Sequence, residues 1–167
     1  MEVQVRAADG RYVTTGFPPQ EAKDFQVMLD WLDKLGLRET CPEVFFLEIG
    51  IERGGINVVR DFDDPEVMAI FAAVRTALVH IATHIPAVDF FEGAQERDLQ
   101  CGIIFSPEEA FENPHFVARG FQAVVEHPEL DRTVRYPGAP FRMSASPWAI
   151  RRRPPLVGEH TVELLGP

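Results

Sequence analysis

The side chains in this 167-residue chain that could do chemistry are few and scattered. His80 and His84 stand four apart, the spacing that puts two imidazoles on one helix face, where they could share a metal ion. A third ligand at suitable spacing is lacking and His80 lies close to an apolar stripe, so no metal is assigned. Cys101 could act as a thiolate nucleophile. It sits in an apolar run with no activating histidine beside it, the setting of an inert packing thiol. Asp61, Asp63, Asp64 and Glu66 could gather a cation, but Pro65 in their midst makes a helix start the better reading. Asp89 and Glu92 could pair their carboxylates, and a solvated helix face explains them more simply. Glu159-His160-Thr161 places a carboxylate, an imidazole and a hydroxyl side by side, which invites a catalytic reading. Arg119, Arg142 and the run Arg151-Arg152-Arg153 supply guanidinium groups suited to phosphate or carboxylate, although three charges in a row also describe a solvated turn. No catalytic residue is assigned among these.

Elements must hold these groups in place, and the sequence marks several. Asp9-Gly10 stands between the alternating runs Val3–Ala7 and Arg11–Thr15, a hairpin signal. Pro18-Pro19 opens a helix whose apolar residues Phe25, Met28, Leu29, Leu32 and Leu35 recur at helical spacing, with Gly36 as its stop. Residues 38–60 are ambiguous: Val44-Phe45-Phe46-Leu47 is apolar and β-prone, but Gly50, Gly54 and Gly55 interrupt the pattern. Asp63-Asp64-Pro65-Glu66 starts the next helix, with Val67, Ile70, Phe71, Val74, Leu78 and Ile81 as its stripe. Pro86 restarts a short helix that ends near Asp98. Cys101–Phe105 predicts a buried strand of five residues. Ser106-Pro107-Glu108-Glu109 is a capping box for a helix broken near Asn113-Pro114. Phe121–Glu126 and Thr133–Tyr136 predict an antiparallel pair.

Beyond Tyr136 the chain changes character. Five prolines fall between residues 137 and 157, which leaves little room for helix or sheet. The apolar Phe141, Met143, Trp148, Ile150, Leu156 and Val157 in that stretch therefore need another surface, so the segment reads as an arm. The net charge of −10 is uneven. Residues 1–130 carry 23 acids against 10 Lys/Arg, and residues 131–167 carry 3 acids against 6 Arg. An acidic body argues against nucleic acid as partner. No run reaches the roughly 18 consecutive apolar residues of a membrane span, and the opening residues lack the features of a signal peptide. Two cysteines make no disulfide framework, which points to a reducing, cytoplasmic setting.

Several segments in this order resemble the C-terminal region of class III CoA-transferases, the CaiB/BaiF-type family that also holds the α-methylacyl-CoA racemases. They are Gln100-Cys101-Gly102 entering a strand, Ser106-Pro107-Glu108-Glu109, and Asn113-Pro114-His115-Phe116-Val117-Ala118-Arg119-Gly120-Phe121. Pro137-Gly138-Ala139-Pro140-Phe141-Arg142-Met143-Ser144 and the closing Pro154-Pro155-Leu156-Val157-Gly158-Glu159-His160-Thr161 complete the set. The hairpin around Asp9-Gly10 also resembles the start of that family's small domain, and the likeness is weakest over residues 38–60. Ile103 stands where the family commonly has proline.

The resemblance implies an α+β fold: a small domain of short antiparallel strands and packed helices over residues 1–120, then a β-hairpin and extended Pro-rich arm over residues 121–167. It implies a C-terminal subunit or fragment that covers an acyl-CoA cleft and completes a dimer with a separate N-terminal CoA-binding part, which carries the catalytic Asp. Such a chain is not expected to be active alone. Coenzyme A thioester is then the substrate, with no tightly bound cofactor and no metal. Arg119, Arg142 and Arg152 become candidates for CoA binding, and Phe141, Trp148, Leu156, Glu159 and His160 candidates for docking on the partner. The expected partner is an N-terminal CoA-transferase polypeptide or domain in a homo- or hetero-oligomer, with neither nucleic acid nor membrane involved. Transfer and racemisation stay open at this point. So does a different class of role, a non-catalytic interaction or regulatory module derived from the family.

Overall fold

The computed structural model describes residues 4–166 as two compact units, Met1–Ile104 and Phe105–Pro167. The first begins with a hairpin of β1 (Gln4–Arg6) and β2 (Tyr12–Thr14), in which Val5 pairs with Val13. Gly10 takes the left-handed conformation (φ 85°) that closes the turn. The Asp9 carboxylate accepts from the Arg11 N–H at 3.2 Å and the Ala87 N–H at 3.3 Å, which ties the turn to the segment after residue 86.

Strand β3 (Gly102–Ile104) pairs antiparallel with β2, Val13 facing Ile103, so β2 is central and β3 forms an edge. The expected buried strand of five residues is thus three residues long. Gly102 and Ile103 are half-buried and Ile104 is exposed, while Cys101, just before the strand, is buried. An edge strand has a neighbour on one side only, and alternate residues face away from the core.

Helix α1 (Ala22–Leu35) starts later than Pro18-Pro19 suggests. The segment before it runs extended, because Gln20 gives its carbonyl to the Ile56 N–H (2.8 Å) and its side-chain oxygen to the Val58 N–H (2.9 Å). The helix buries Phe25, Met28, Leu29, Trp31 and Leu32, and Gly36 ends it in the left-handed conformation. The ambiguous stretch contains α2 (Phe45–Glu52), which buries only Leu47 and Gly50. The β-prone apolar run is helical here because its small Gly50 lets α2 approach its neighbours. A Cβ built on Gly50 would lie 2.7 Å from the Phe25 ring and 3.0 Å from Ile70.

Helix α3 (Pro65–His84) carries the core. Asp64 caps it by accepting from the Glu66 and Val67 N–H groups, Pro65 occupies the first turn, and Arg53 bridges Asp64 and Glu66 at 2.6 Å each. The helix buries Val67, Ile70, Ala73, Val74, Ala77, Leu78, Ile81 and Ala82. Its 20 residues are long and apolar enough, by length and composition, to cross a membrane, yet this face is the centre of the first unit's core. Helix α4 (Ala87–Gln95) closes the layer, with Phe90 stacked on Trp31 at 5.7 Å between ring centroids.

The second unit opens with α5 (Pro107–Glu112) and α6 (Pro114–Ala118). The capping box at Ser106 is formed in both directions, and Asn113 ends one helix and caps the next. Strands β4 (Gln122–His127) and β5 (Arg132–Pro137) pair antiparallel around a single 3-10 turn, with Asp131 left-handed at φ 49°. After β5 the chain runs without regular structure to α7 (Thr161–Leu165). Among the described residues of this unit only Val125 and His127 are buried, so the apolar core belongs to the first unit.

Replacing Gly50 by Ala tests the helix packing. Alanine would gain up to about 1 kcal/mol of helix propensity, but its methyl group meets a Phe25 ring that is itself fully buried. Overpacking costs about 1–3 kcal/mol and wins. The expected outcome is a lower urea midpoint for Gly50→Ala; an unchanged or higher midpoint would show that the ring has room to move.

Candidate functional site

The sequence leaves the polar groups of the second unit widely separated; the hairpin and arm gather five of them. By register, Val125, His127 and Tyr136 lie on one face of the β4–β5 ribbon. His127 stacks on Tyr136 at 5.8 Å between ring centroids and 7° between planes. Its Nε2 stands 3.0 Å from the Tyr136 hydroxyl and its Nδ1 2.9 Å from Glu129 Oε1. A carboxylate only accepts, so Nδ1 donates to Glu129, and in the neutral ring Nε2 accepts from Tyr136. Arg153 continues the chain. Its Nε lies 2.7 Å from Glu129, and its two terminal nitrogens each donate to the Glu159 carboxylate at 2.8 Å. Leu156 adds its N–H to Glu159 at 2.7 Å.

This bidentate pairing has an electrostatic consequence. The Arg153 guanidinium and the Leu156 N–H hold the Glu159 carboxyl down to about 2, against an ordinary value near 4.3. Burial pushes Glu129 upward, but its own backbone N–H, His127 and Arg153 outweigh that and leave it below the usual carboxylate range. Glu159 and Arg153 raise each other's charged fraction, and the Arg153 pKa lies above its ordinary value.

Beside this relay lies a cavity of about 430 Å³, walled by Val124, Val125, Pro128 and Ile150 and edged by Glu126 and Glu159 as well as by Arg151, Arg152, Arg153 and His160. Arg153 is committed to Glu129 and Glu159. Arg152 makes only a 3.5 Å contact with Glu163, and Arg151 meets no carboxylate among the described residues. Arg151 and Arg152 thus outnumber Glu126, the lining carboxylate that Arg153 does not pair, and this mixed polar and apolar cleft suits a phosphate or carboxylate on a partly apolar molecule.

The other residues singled out from the sequence fall in three places. Arg119 and Arg142 pin the start of the arm: Arg119 donates to the Pro140 carbonyl at 2.7 Å, and Arg142 donates to the Arg119 carbonyl. Neither lines the cleft that Arg152 borders. Phe141, Trp148 and Leu156 are exposed along the arm, as are Met143 and Val157. In the run 159–161, Glu159 is taken by Arg153, and the His160 ring stands 4.0 Å from Glu163, so these side chains do not form a relay onto Thr161.

In the first unit His84 points Nδ1 at the His80 carbonyl (2.6 Å), and His80 turns Nε2 to the Thr40 hydroxyl (3.1 Å). Burial, then the neighbouring His84, lowers the His80 pKa. Among the described residues no cluster of three or more His, Cys, Asp or Glu could hold a metal. Burial pushes the Cys101 thiol up to about 12, which fits a packing role. Asp64 and Glu66 serve the start of α3, while Asp89 and Glu92 lie on an exposed helix face. Sequence reasoning missed the hub role of Arg153 and its link through Glu129 to His127. Only the i, i+2 spacing of His127 and Glu129 around Pro128 hints at it, and that signal is weak without the register.

Comparison with known proteins adds an independent line. The model of CoA-transferase family III matches residues 58–161, more than half of the chain and parts of both units. The match begins at the end of the stretch where the sequence likeness is weakest, and it does not include the opening hairpin. A formyl-CoA:oxalate CoA-transferase of Rhodopseudomonas palustris (strain BisA53) is 41% identical over 70 residues, covering 42% of this chain and 16% of that protein. One from Afipia carboxidovorans is 40% identical over 68 residues, again 16% of its length. The crystal structure of a CAIB/BAIF family protein from Brucella suis aligns over 97% of this chain and 36% of its own, with a TM-score of 0.49 and 18% identity. The chain thus spans about a third of that solved protein's length, and its matched stretches are a smaller share of the curated relatives.

The relay predicts a defined pH response. Because the Glu159 pKa is depressed in the folded chain, the ion pair contributes fully above about 4.3, the ordinary glutamate value. That contribution is lost as the pH falls toward about 2. Arg153→Gln should raise Glu159 toward the ordinary carboxylate range, with the Leu156 N–H still holding it somewhat low, read by NMR titration of its side-chain carboxyl. A Glu159 value still near 2 in the variant would show that Arg153 is not the cause.

Proposed function

The chain belongs to CoA-transferase family III, and from that premise we propose that it is the C-terminal part of an acyl-CoA transferase, forming one wall of an acyl-CoA cleft. In this reading a large CoA-binding domain, in the same or a second polypeptide, carries the catalytic carboxylate and closes the cleft from the other side. Two such assemblies then interlock as a dimer. The substrates of the family are coenzyme A thioesters. Transfer of CoA between carboxylic acids is preferred to racemisation because the relatives named above are CoA-transferases.

The observation that carries the reading is the family match running from the loop before α3 into the arm, while the arm's Phe141, Trp148 and Leu156 face solvent. Exposed aromatic and aliphatic residues in one segment are what a docking surface requires. Within the cleft, this chain's contribution is to bind and orient. Arg152, with Arg151 beside it, meets CoA phosphates as a guanidinium fork, and the apolar wall of Val124 and Ile150 excludes water. The bond-making steps fall to the carboxylate of the large domain, as covalent catalysis through an acyl anhydride and an enzyme–CoA thioester.

Native mass spectrometry of the protein purified from its own host tests the assembly. The expected species pairs this chain with a CoA-binding domain and binds acyl-CoA. In that complex, Arg152→Ala should weaken acyl-CoA binding about tenfold, the loss of one charge-assisted phosphate contact. Phe141→Ala with Trp148→Ala should weaken the assembly and leave this chain folded. A lone monomer or homodimer with no affinity for acyl-CoA would overturn the proposal and leave an interaction module derived from the family.

A further inference from the structure

The first unit is acidic, and its arginines are mostly neutralised. Arg38 bridges Asp33 and Glu48, Arg53 bridges Asp64 and Glu66, Arg60 meets Asp61, and Arg97 meets Glu96. Arg6 and Arg75 are different. Arg6 makes a single 3.4 Å contact with the Gly10 carbonyl, and Arg75, half-buried on α3, has no hydrogen-bond or ion-pair partner among the described residues. Both border the same open cavity, of about 810 Å³, between the β1–β2 hairpin and α3.

The lining of that cavity has a consistent chemistry. It contains no carboxylate among the described residues. Val5 and Val79 give it apolar surface, and Tyr12 offers an aromatic ring with a hydroxyl donor. A half-buried guanidinium loses part of its hydration, and no carboxylate among the described residues of the lining compensates that loss. Arg75 is of that kind, and the exposed Arg6 adds a second guanidinium to a lining in which Val5 and Val79 stand beside Gln4 and Thr83; together they match a ligand with an oxyanion head and a partly apolar body. We propose that the cavity between β1, β2 and α3 is a binding site for a small organic oxyanion, a carboxylate or phosphate ester with an aromatic or aliphatic body. Arg6 and Arg75 hold the head, and Val5, Val79 and Tyr12 hold the body. The site lies wholly within the first unit and does not depend on the acyl-CoA reading of the second.

Titration calorimetry of the full chain with inorganic phosphate, phenyl phosphate and benzoate tests it. The expected result is saturable binding in which the phenyl compounds bind more tightly than inorganic phosphate, and the better of the two identifies the head group. Arg75→Gln and Arg6→Gln should each weaken that binding about tenfold, the size of one charge-assisted hydrogen bond. Arg60→Gln, which removes a paired surface charge elsewhere, should leave it unchanged. Arg6 lies on the exposed side of an edge strand, so its variant remains informative if Arg75→Gln fails to fold. Absence of saturable binding by all three probes, or binding that neither arginine variant moves, would overturn the site. Inorganic phosphate binding as tightly as the phenyl compounds would overturn the assignment of an apolar body.

Discussion

The Arg153 guanidinium, held between Glu129 and Glu159, is the interaction on which the second unit depends. This unit buries only Val125 and His127 among its described residues, so it lacks the apolar core that usually fixes an arm to a hairpin. Charge does that work instead. One guanidinium joins the turn after β4 to the segment before α7, and Glu129 passes the connection to His127 and Tyr136. Ion pairs at a protein surface are weak, because water screens them and long side chains lose freedom in forming them. Bidentate geometry and linkage into a network improve on that, but they do not replace a core. Glycine contributes a further restraint: a Cβ on Gly138 would lie 2.1 Å from the Phe121 carbonyl oxygen, so the arm can leave β5 close against β4 only with glycine there.

The first unit solves the opposite problem. It has apolar residues enough to bury, and α3 supplies a long stripe around which α1, α2, α4 and the sheet assemble. Its difficulty is an excess of acid, managed by pairing arginines with carboxylates at helix ends and in loops. Arg53 is the clearest case, since it neutralises the two carboxylates at the start of α3 while their helix-capping role persists. Against that background, two arginines that share one cavity and meet no carboxylate among the described residues are a departure from the pattern. Charge distribution, more than shape, is what marks the cavity as a site.

The features legible in the sequence are those whose cause is local. Asp64-Pro65, the Ser106–Glu109 box, Asn113-Pro114 and Gly36 each act within a few residues through a hydrogen bond or a fixed backbone angle, and each marks a boundary in the structure. The order of short motifs from Gln100 to Thr161 was legible for the same reason and carried the family. What escaped was set by distant partners. Helix α1 starts late because Gln20 bonds to residues 56 and 58, and α2 is helical because Gly50 admits Phe25 and Ile70. Strand β3 takes its place at the sheet edge by pairing with β2, which lies far earlier in the chain. The Arg153 hub needed both the hairpin register and the return of the arm, and neither appears in a window of residues.

Three of the reactive-looking side chains among the described residues are already committed. The Cys101 thiol is raised to about 12 by burial, far from a nucleophile's range. Glu159 is held near 2 by Arg153, so it stays ionised and paired and cannot lend a proton at neutral pH. His127 spends one ring nitrogen on Glu129 and the other on Tyr136. A general base must keep a nitrogen free for its substrate, and a general acid must hold a proton it can release. Among the groups that remain available are guanidiniums at the rims of two cavities and apolar side chains along an arm. Their chemistry is recognition of anions and of surfaces.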